Sequence, residues 1–165
     1  VPAGIRPTSG RLRGALFSIW AGRLPGARIL DLFAGCGSVG LEALSRGALE
    51  AVFVESGRGP LAALRRNLRL AATDATRVLA QALPGALGRL ATEEQRFDLV
   101  FADPPYSWTI TEELLGAVRR VIRREGELAL EHSRRNPPPG ELAEWVRTDV
   151  RRYGESALSF YAPST

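Results

Sequence analysis

Apolar and polar positions along this chain switch period again and again, and the switches mark alternating helices and strands. Over Arg11–Trp20, Leu12, Leu16 and Ile19 fall on one helical face, with Arg11 and Arg13 off it. Pro25-Gly26 breaks the chain, and Ala27–Phe33 then reads as a buried strand. Ser38–Arg46 is predicted helical, with Ser38 as candidate cap and Gly47 as stop. Ala51–Glu55 is a second strand. Leu61, Leu64 and Leu68 mark a helix whose wet face carries Arg65, Arg66 and Arg69. Thr76–Ala80 is a weak third strand, and residues 84–92 form a short helix with Pro84 near its first turn. Phe97–Ala102 is the fourth strand. Ile110, Leu114, Leu115, Val118, Val121 and Ile122 form a helical stripe, followed by a fifth strand over Gly126–Glu131. Pro137-Pro138-Pro139-Gly140 is a loop. Trp145–Arg151 and Ala157–Tyr161 read as two closing strands joined by a turn at Tyr153-Gly154.

Strands that alternate with helices imply a mainly parallel sheet covered on both faces. The last two strands have no helix between them, which predicts an antiparallel hairpin at one edge. The expectation is therefore an α/β fold with a seven-stranded, mainly parallel sheet. It forms a single domain over residues 1–165, in which 1–22 are an arm and an amphipathic helix. Ligands in such sheets bind at the carboxyl ends of strands, near the point where strand order reverses. Two unusual loops lie at such ends, after the first and fourth strands. Those strands are neighbours if the order reverses after the first.

The first loop is Asp31-Leu32-Phe33-Ala34-Gly35-Cys36-Gly37-Ser38-Val39-Gly40. Gly35, Gly37 and Gly40 spell G-x-G-x-x-G, after a strand and opening a helix, with Glu55 ending the next strand. That context reads as a nucleotide fold. Glu55 is placed to accept both hydroxyls of a ribose; its plainer reading is a solvated acid at a strand end. Asp31 helps to choose the ligand. A carboxylate so close would repel a pyrophosphate and attract an ammonium. S-adenosylmethionine carries an ammonium and a sulfonium and no phosphate, so Asp31 with Glu55 favours it over a dinucleotide. Cys36 reads as a small loop residue and His132 as structural or solvated.

The second loop is Asp103-Pro104-Pro105-Tyr106. Two consecutive prolines cannot continue a ladder or start mid-helix, and they fix a stiff loop whose carbonyls lack local amide partners. Such carbonyls can accept from a planar amino group, and the Tyr106 ring offers a face to stack on it. The alternative for Asp103 is a cap of the following helix.

Composition adds bounds. At 165 residues and 45% apolar, the chain suits one domain with a real core. No apolar run approaches the length of a membrane span, and no signal peptide is visible. With no Met, the initiator is expected to have been removed or the N-terminus cut. One cysteine excludes an internal disulfide, and with one histidine a structural zinc site is not expected; a reducing cytoplasm fits. All 22 basic residues are arginine, the formal charge is +4 and the pI about 10.2. That balance suits a polyanionic partner; a GC-rich genome accounts equally for the preference of Arg over Lys.

With these residues on the page, the chain resembles the RsmD-type small-subunit ribosomal RNA guanine-N2 methyltransferases. The resemblance covers nearly the whole chain. It runs through Arg6-Pro7-Thr8 before Arg11 and Arg13, Leu16-Phe17, the Asp31–Gly35 segment and Gly40–Gly47. It continues through Glu55, Asn67, Asp103–Tyr106, and Tyr153-Gly154 leading to Leu158–Tyr161. It implies a Rossmann-like S-adenosylmethionine-dependent methyltransferase fold, acting on the exocyclic N2 of one guanosine in small-subunit rRNA or a small-subunit assembly particle. The cofactor residues implied are Asp31, Phe33, Ala34, Gly35, Gly37, Gly40, Glu55 and Asp103, with Gln81 and Ala82 where the family often has an acid or amide for the adenine. The catalytic residues implied are Asp103, Pro104, Pro105 and Tyr106, with Asp103 and the Pro104 carbonyl accepting from the amine and Tyr106 stacking on the turned-out base. Arg6, Arg11 and Arg13 are candidate RNA contacts, or the wet face of an amphipathic helix; Arg134 and Arg135 are a second such candidate. No metal and no membrane are expected, and a monomer is.

Against the family pattern, the sequence begins at the arm, so that a basic, glycine-containing segment before it is expected to be missing; Gln81-Ala82 carry no acid, and residues 9–14 lack acids. Competing readings are an adenine-N6 methyltransferase on DNA or RNA, a nicotinamide oxidoreductase, and a non-catalytic RNA-binding module. The oxidoreductase leaves Asp31 and Asp103–Tyr106 unexplained.

Overall fold

The order of strands across the sheet fixes where everything else can sit. The computed structural model describes residues 10–105, 112–139 and 142–164. Among them, α1 (Gly10–Trp20) leads into β1 (Arg28–Leu32), α2 (Ser38–Ser45), β2 (Glu50–Val54), α3 (Arg58–Ala71) and β3 (Thr76–Leu79). Then come α4 (Gly85–Thr92), β4 (Phe97–Ala102), α5 (Glu112–Arg119), β5 (Ile122–Ser133), β6 (Trp145–Tyr153) and β7 (Ser156–Pro163). The seven strands form one sheet in the order β3-β2-β1-β4-β5-β7-β6. The first five are parallel, and β7 joins β5 and β6 antiparallel. Strand order reverses after β1, so β1 and β4 lie side by side, as the sequence led one to expect.

Both faces of the central strands are covered, and each carries its own cluster. One face packs Leu30, Leu32, Val52, Val54, Val100 and Leu128 against α4 and α5. The other packs Ile29, Phe53, Leu99, Phe101 and Phe160 against α1, α2 and α3. This two-sided burial explains why β1, β2 and β4 are nearly unbroken apolar runs rather than alternating ones. On α1 the buried positions are Leu12, Leu16, Phe17 and Trp20, while Ile19 is half-buried at the edge of the cluster.

One expected boundary is wrong. Val121 and Ile122 continue the apolar spacing of α5 but are not helical. The Val121 carbonyl accepts from the Phe97 N–H at 2.8 Å, and Ile122 pairs with Phe97 as the start of β5. The next registered pair is Leu99 with Glu127, so residues 123–126 are set against Asp98 alone. Periodicity cannot detect such an irregularity, because Val121 and Ile122 are buried by the ladder as a helix would have buried them. Ile110 lies outside the described residues. Among the described residues no helix is long and apolar enough to cross a membrane.

Candidate functional site

The loop after β1 is held by its neighbours. The Ala34 N–H donates to the Val54 carbonyl at 3.0 Å, and the Gly37 N–H to the Ala34 carbonyl at 2.9 Å. The Gly35 N–H donates to Glu55 Oε1 at 2.8 Å, while Glu55 Oε2 accepts from the Gly57 N–H at 2.8 Å. From α3, Asn67 Nδ2 donates to the Cys36 carbonyl at 3.0 Å. The backbone turns through left-handed conformations at Phe33 (φ 55°), Gly35 (φ 59°) and Gly37 (φ 85°). Phe33 holds this conformation without being glycine, a strain typical of functional loops.

The three glycines do different work. A Cβ on Gly40 would lie 2.4 Å from Phe53 Cε1, and one on Gly37 would lie 2.5 Å from Leu64 Cδ1. These two let α2 close down on β2 and α3. A Cβ on Gly35 would meet nothing within 4 Å. Gly35 therefore faces open space, where a ligand can approach the backbone. Gly37, not Ser38, is the N-cap of α2, with no side-chain cap bond, so Ser38 is simply its first residue.

Acids gather at this end of the sheet. Asp31 is 1% exposed, and its Oδ2 accepts from the Gly40 N–H at 3.1 Å. Burial is the largest influence and pushes its pKa up to about 8; the Gly40 bond opposes this, and the charges of Asp103 and Glu55 add to it. Asp31 pairs with Phe101 across β1 and β4, which sets Asp103 two residues further along the neighbouring strand. Asp103 is half-buried, Pro104 buried and Pro105 exposed. Tyr106 and Arg6 lie outside the described residues. The two loops thus meet at the reversal point between β1 and β4.

The other candidates stand apart. Gln81 and Ala82 are exposed after β3, with Gln81 Oε1 accepting from Arg89 Nη1 at 3.0 Å. Arg13 is half-buried and pairs with Glu42 of α2 at 3.4 Å, which engages it within the protein. Arg11 is exposed, with its guanidinium 5.3 Å from the centre of the Tyr153 ring. Cys36 is a free, half-buried thiol. His132 is 8% exposed, with Nε2 at 2.8 Å from Ser159 Oγ; burial lowers its pKa, as befits a neutral structural ring. Among the described residues no group of His, Cys, Asp and Glu could hold a metal ion.

A sequence reading gave neither a role for Asn67 nor the burial of Glu131. Asn67 entered the sequence reading only as part of the resemblance, with no role, and its bond to the Cys36 carbonyl reveals it as a brace for the loop. Glu131 is 2% exposed near the end of β5. An acid after the apolar run Leu128-Ala129-Leu130 was its signal, as for Glu55 after β2.

Known proteins share this architecture. A family model described as "Conserved hypothetical protein 95" matches residues 1–162. Ribosomal RNA small subunit methyltransferase D of Escherichia coli (strain K12) is 32% identical, over 96% of this chain and 79% of that protein. The putative rRNA methyltransferase YlbH of Bacillus subtilis (strain 168) is 31% identical, over 94% of this chain and 86% of its own length. The solved structure of a putative methyltransferase, yhhF, from Escherichia coli superposes with a TM-score of 0.84 at 32% identity, covering 99% of this chain and 90% of that one. The fold is that of the S-adenosylmethionine-dependent methyltransferases, and the chain belongs to the RsmD-type family described by that model.

Proposed function

We propose that the chain transfers a methyl group from S-adenosylmethionine to the exocyclic N2 of a guanosine in small-subunit ribosomal RNA. The observation that carries this reading is the meeting of two loops across β1 and β4. One is a braced glycine loop flanked by Asp31 and Glu55, and the other is the rigid Asp103-Pro104 corner. The names of the relatives, rRNA methyltransferases, support the substrate class.

The residues fit the cofactor. Gly35 leaves open space beside its backbone, and Glu55 keeps lone pairs beyond those taken by Gly35 and Gly57 for a pair of ribose hydroxyls. Asp31, Asp103 and Glu55 together form an acidic environment that favours a cationic ligand and disfavours a phosphate. Bound there, S-adenosylmethionine supplies an activated methyl group on a sulfonium.

The chain supplies alignment. The Asp103 carboxylate accepts from the N2 amine of the base, and the Pro104 carbonyl accepts the second N–H. These two acceptors turn the nitrogen lone pair toward the methyl group. Orientation of this kind provides most of the rate, and Asp103 takes up the proton that the amine releases on methylation. Tyr106 stacks on the base. Proline at 104 and 105 keeps the acceptors from relaxing when no base is bound.

The test is methyl transfer from labelled S-adenosylmethionine to small-subunit particles and to rRNA from a strain lacking the activity, followed by nucleoside analysis. Labelled N2-methylguanosine is expected. Labelled N6-methyladenosine would overturn the base assignment and leave the chemistry standing. Absence of label from both substrates, with measurable cofactor binding, would overturn the substrate.

A further inference from the structure

The antiparallel hairpin is the part of the sheet that the site described above does not use. Its register shows where it points. Ala102 pairs with Leu130, Leu130 with Ser159, and Ser159 with Val150. One residue further on, Glu131 pairs with Leu158 and Leu158 with Arg151, which brings Asp103 level with Arg151. Next come His132, Ala157 and Arg152, then Ser133, Ser156 and Tyr153. The closed end of the hairpin therefore stands at the same end of the sheet as Asp103, three strand spacings away, or roughly 14 Å.

Arginines from three elements stand at that end of the sheet, with Arg151 on the α1 face beside Leu158 and Arg152 on the opposite face beside His132. Arg151 and Arg152 end β6, Arg134 and Arg135 follow β5, and Arg11 comes from the first turn of α1; all five are exposed. Arg11 lies over the Tyr153 ring, and Arg134 Nη1 donates to the Gly154 carbonyl at 3.0 Å. Two carboxylates accompany them: Asp149 pairs with Arg151 at 3.0 Å, and Glu155 with Arg135 at 3.2 Å. Ion pairs this exposed are worth about 0–1 kcal/mol, so a phosphate can replace either carboxylate. Arginine on β6 also shields an open sheet edge from pairing with another strand. Edge protection gives no reason for Arg134, Arg135 and Arg11 to gather at the same corner from other elements.

We propose that this corner, formed by the closed end of the β6–β7 hairpin and the first turn of α1, is a phosphate-binding ledge for the single RNA strand that flanks the target nucleotide. The ledge rests on the RNA-methylation reading above. It runs from the Asp103 loop toward the open edge of the sheet, level with the base to be modified. A strand leaving the reacting base meets guanidinium groups suited to bidentate contact with phosphate, and these set its register without reading sequence.

The test compares two triple variants of equal charge change. In the first, Arg135→Gln, Arg151→Gln and Arg152→Gln remove ledge charges while Arg134 continues to hold the turn. In the second, Arg65→Gln, Arg66→Gln and Arg69→Gln remove exposed charges from α3, on the far side of the glycine loop. RNA affinity is measured against salt concentration, with KM and kcat for the RNA, cofactor affinity by calorimetry, and thermal unfolding as a check on folding. The ledge variant should lose about tenfold or more in RNA affinity, and its salt slope should become shallower by about 2, at roughly 0.7 per lost single-strand contact. The loss should appear in KM, with cofactor affinity unchanged. Equal losses in both variants would overturn the ledge and leave only general attraction of a basic protein. A ledge variant within twofold of the parent would overturn it as well. If the parent protein methylates no RNA, the functional reading falls and the ledge falls with it.

Discussion

Replacing Asp31 by Asn tests the electrostatics of the site most directly. The Asp31 carboxyl is 1% exposed, and its pKa is pushed from 3.8 up to about 8 by burial, helped by Asp103 and Glu55. Between those two values the folded protein holds a proton that the unfolded chain has released. The contribution of Asp31 to stability is thus fully present below the unfolded pKa and is lost as pH rises through the folded one. At 1.36 kcal/mol per unit, the loss is at most about 6 kcal/mol in the cofactor-free protein. An asparagine oxygen can still accept from the Gly40 N–H but does not titrate. Asp31→Asn should therefore be more stable than the parent at alkaline pH, by an amount that shrinks to nothing or reverses near the unfolded pKa. Denaturant unfolding of both proteins across this range is the assay. Parallel pH profiles would refute the reasoning. Cofactor binding gives a second readout of the same group. At about pH 6.5 a free α-amino group, with an ordinary pKa of about 7.7–8.0, is already cationic. Binding that cation beside Asp31 should expel roughly one proton from the carboxyl. Calorimetry in buffers of different ionisation enthalpy should detect the proton with the parent and not with Asp31→Asn. A binding heat independent of buffer in the parent would show that the cofactor's charge does not reach Asp31.

Other outcomes follow from the same geometry. Asp103→Ala should abolish methyl transfer and leave cofactor affinity within a few fold, measured by labelled transfer and calorimetry; near-normal turnover would remove Asp103 from the mechanism. Glu55→Ala removes the acceptor for Gly35 and Gly57 and should weaken cofactor binding by about 1–3 kcal/mol, the scale of a charge-assisted bond. Unchanged affinity would exclude the ribose role. Asn67→Ala should cost about 1 kcal/mol in cofactor binding through a looser loop, with kcat on saturating cofactor little changed. Gly40→Ala drives a methyl group into the Phe53 ring and should destabilise the fold by about 1–3 kcal/mol, part of which Phe53→Leu restores in the double variant. Additive effects of the two changes would disprove the contact.

Local spacing made most of the fold readable. Apolar runs such as Arg28–Leu32 and Phe97–Ala102 state that both faces of their strands are covered, and the helices between them state that neighbouring strands are parallel. The hairpin was readable from Tyr153-Gly154, where φ is 58° at the glycine. The end of α5 was not, because Val121 and Ile122 keep helical spacing while serving the ladder with β4. The cap of α2 was missed for a related reason: Ser38 is a good cap by chemistry, but the left-handed turn at Gly37 has already completed the entry to the helix.

The site was legible in part, and the division follows the range of the interaction. The residues proposed to act through their own loop, such as Gly35, Asp31 and Asp103-Pro104, stand in short motifs that a sequence reading can single out. Residues that act across the fold do not. Arg13 pairs with Glu42 on α2 at 3.4 Å, a partly exposed ion pair of the kind that a phosphate can displace. Arg11 looks identical in the sequence and instead lies exposed over Tyr153, more than a hundred residues away in the chain. Only the pairing of β5, β7 and β6 brings that tyrosine, and the arginines around it, to the end of the sheet where Asp103 stands. The basic charge of this chain therefore carries little information as a total. On the proposed reading, its meaning lies in which arginines the topology brings to the Asp103 end of the sheet and which it leaves on the wet face of α3.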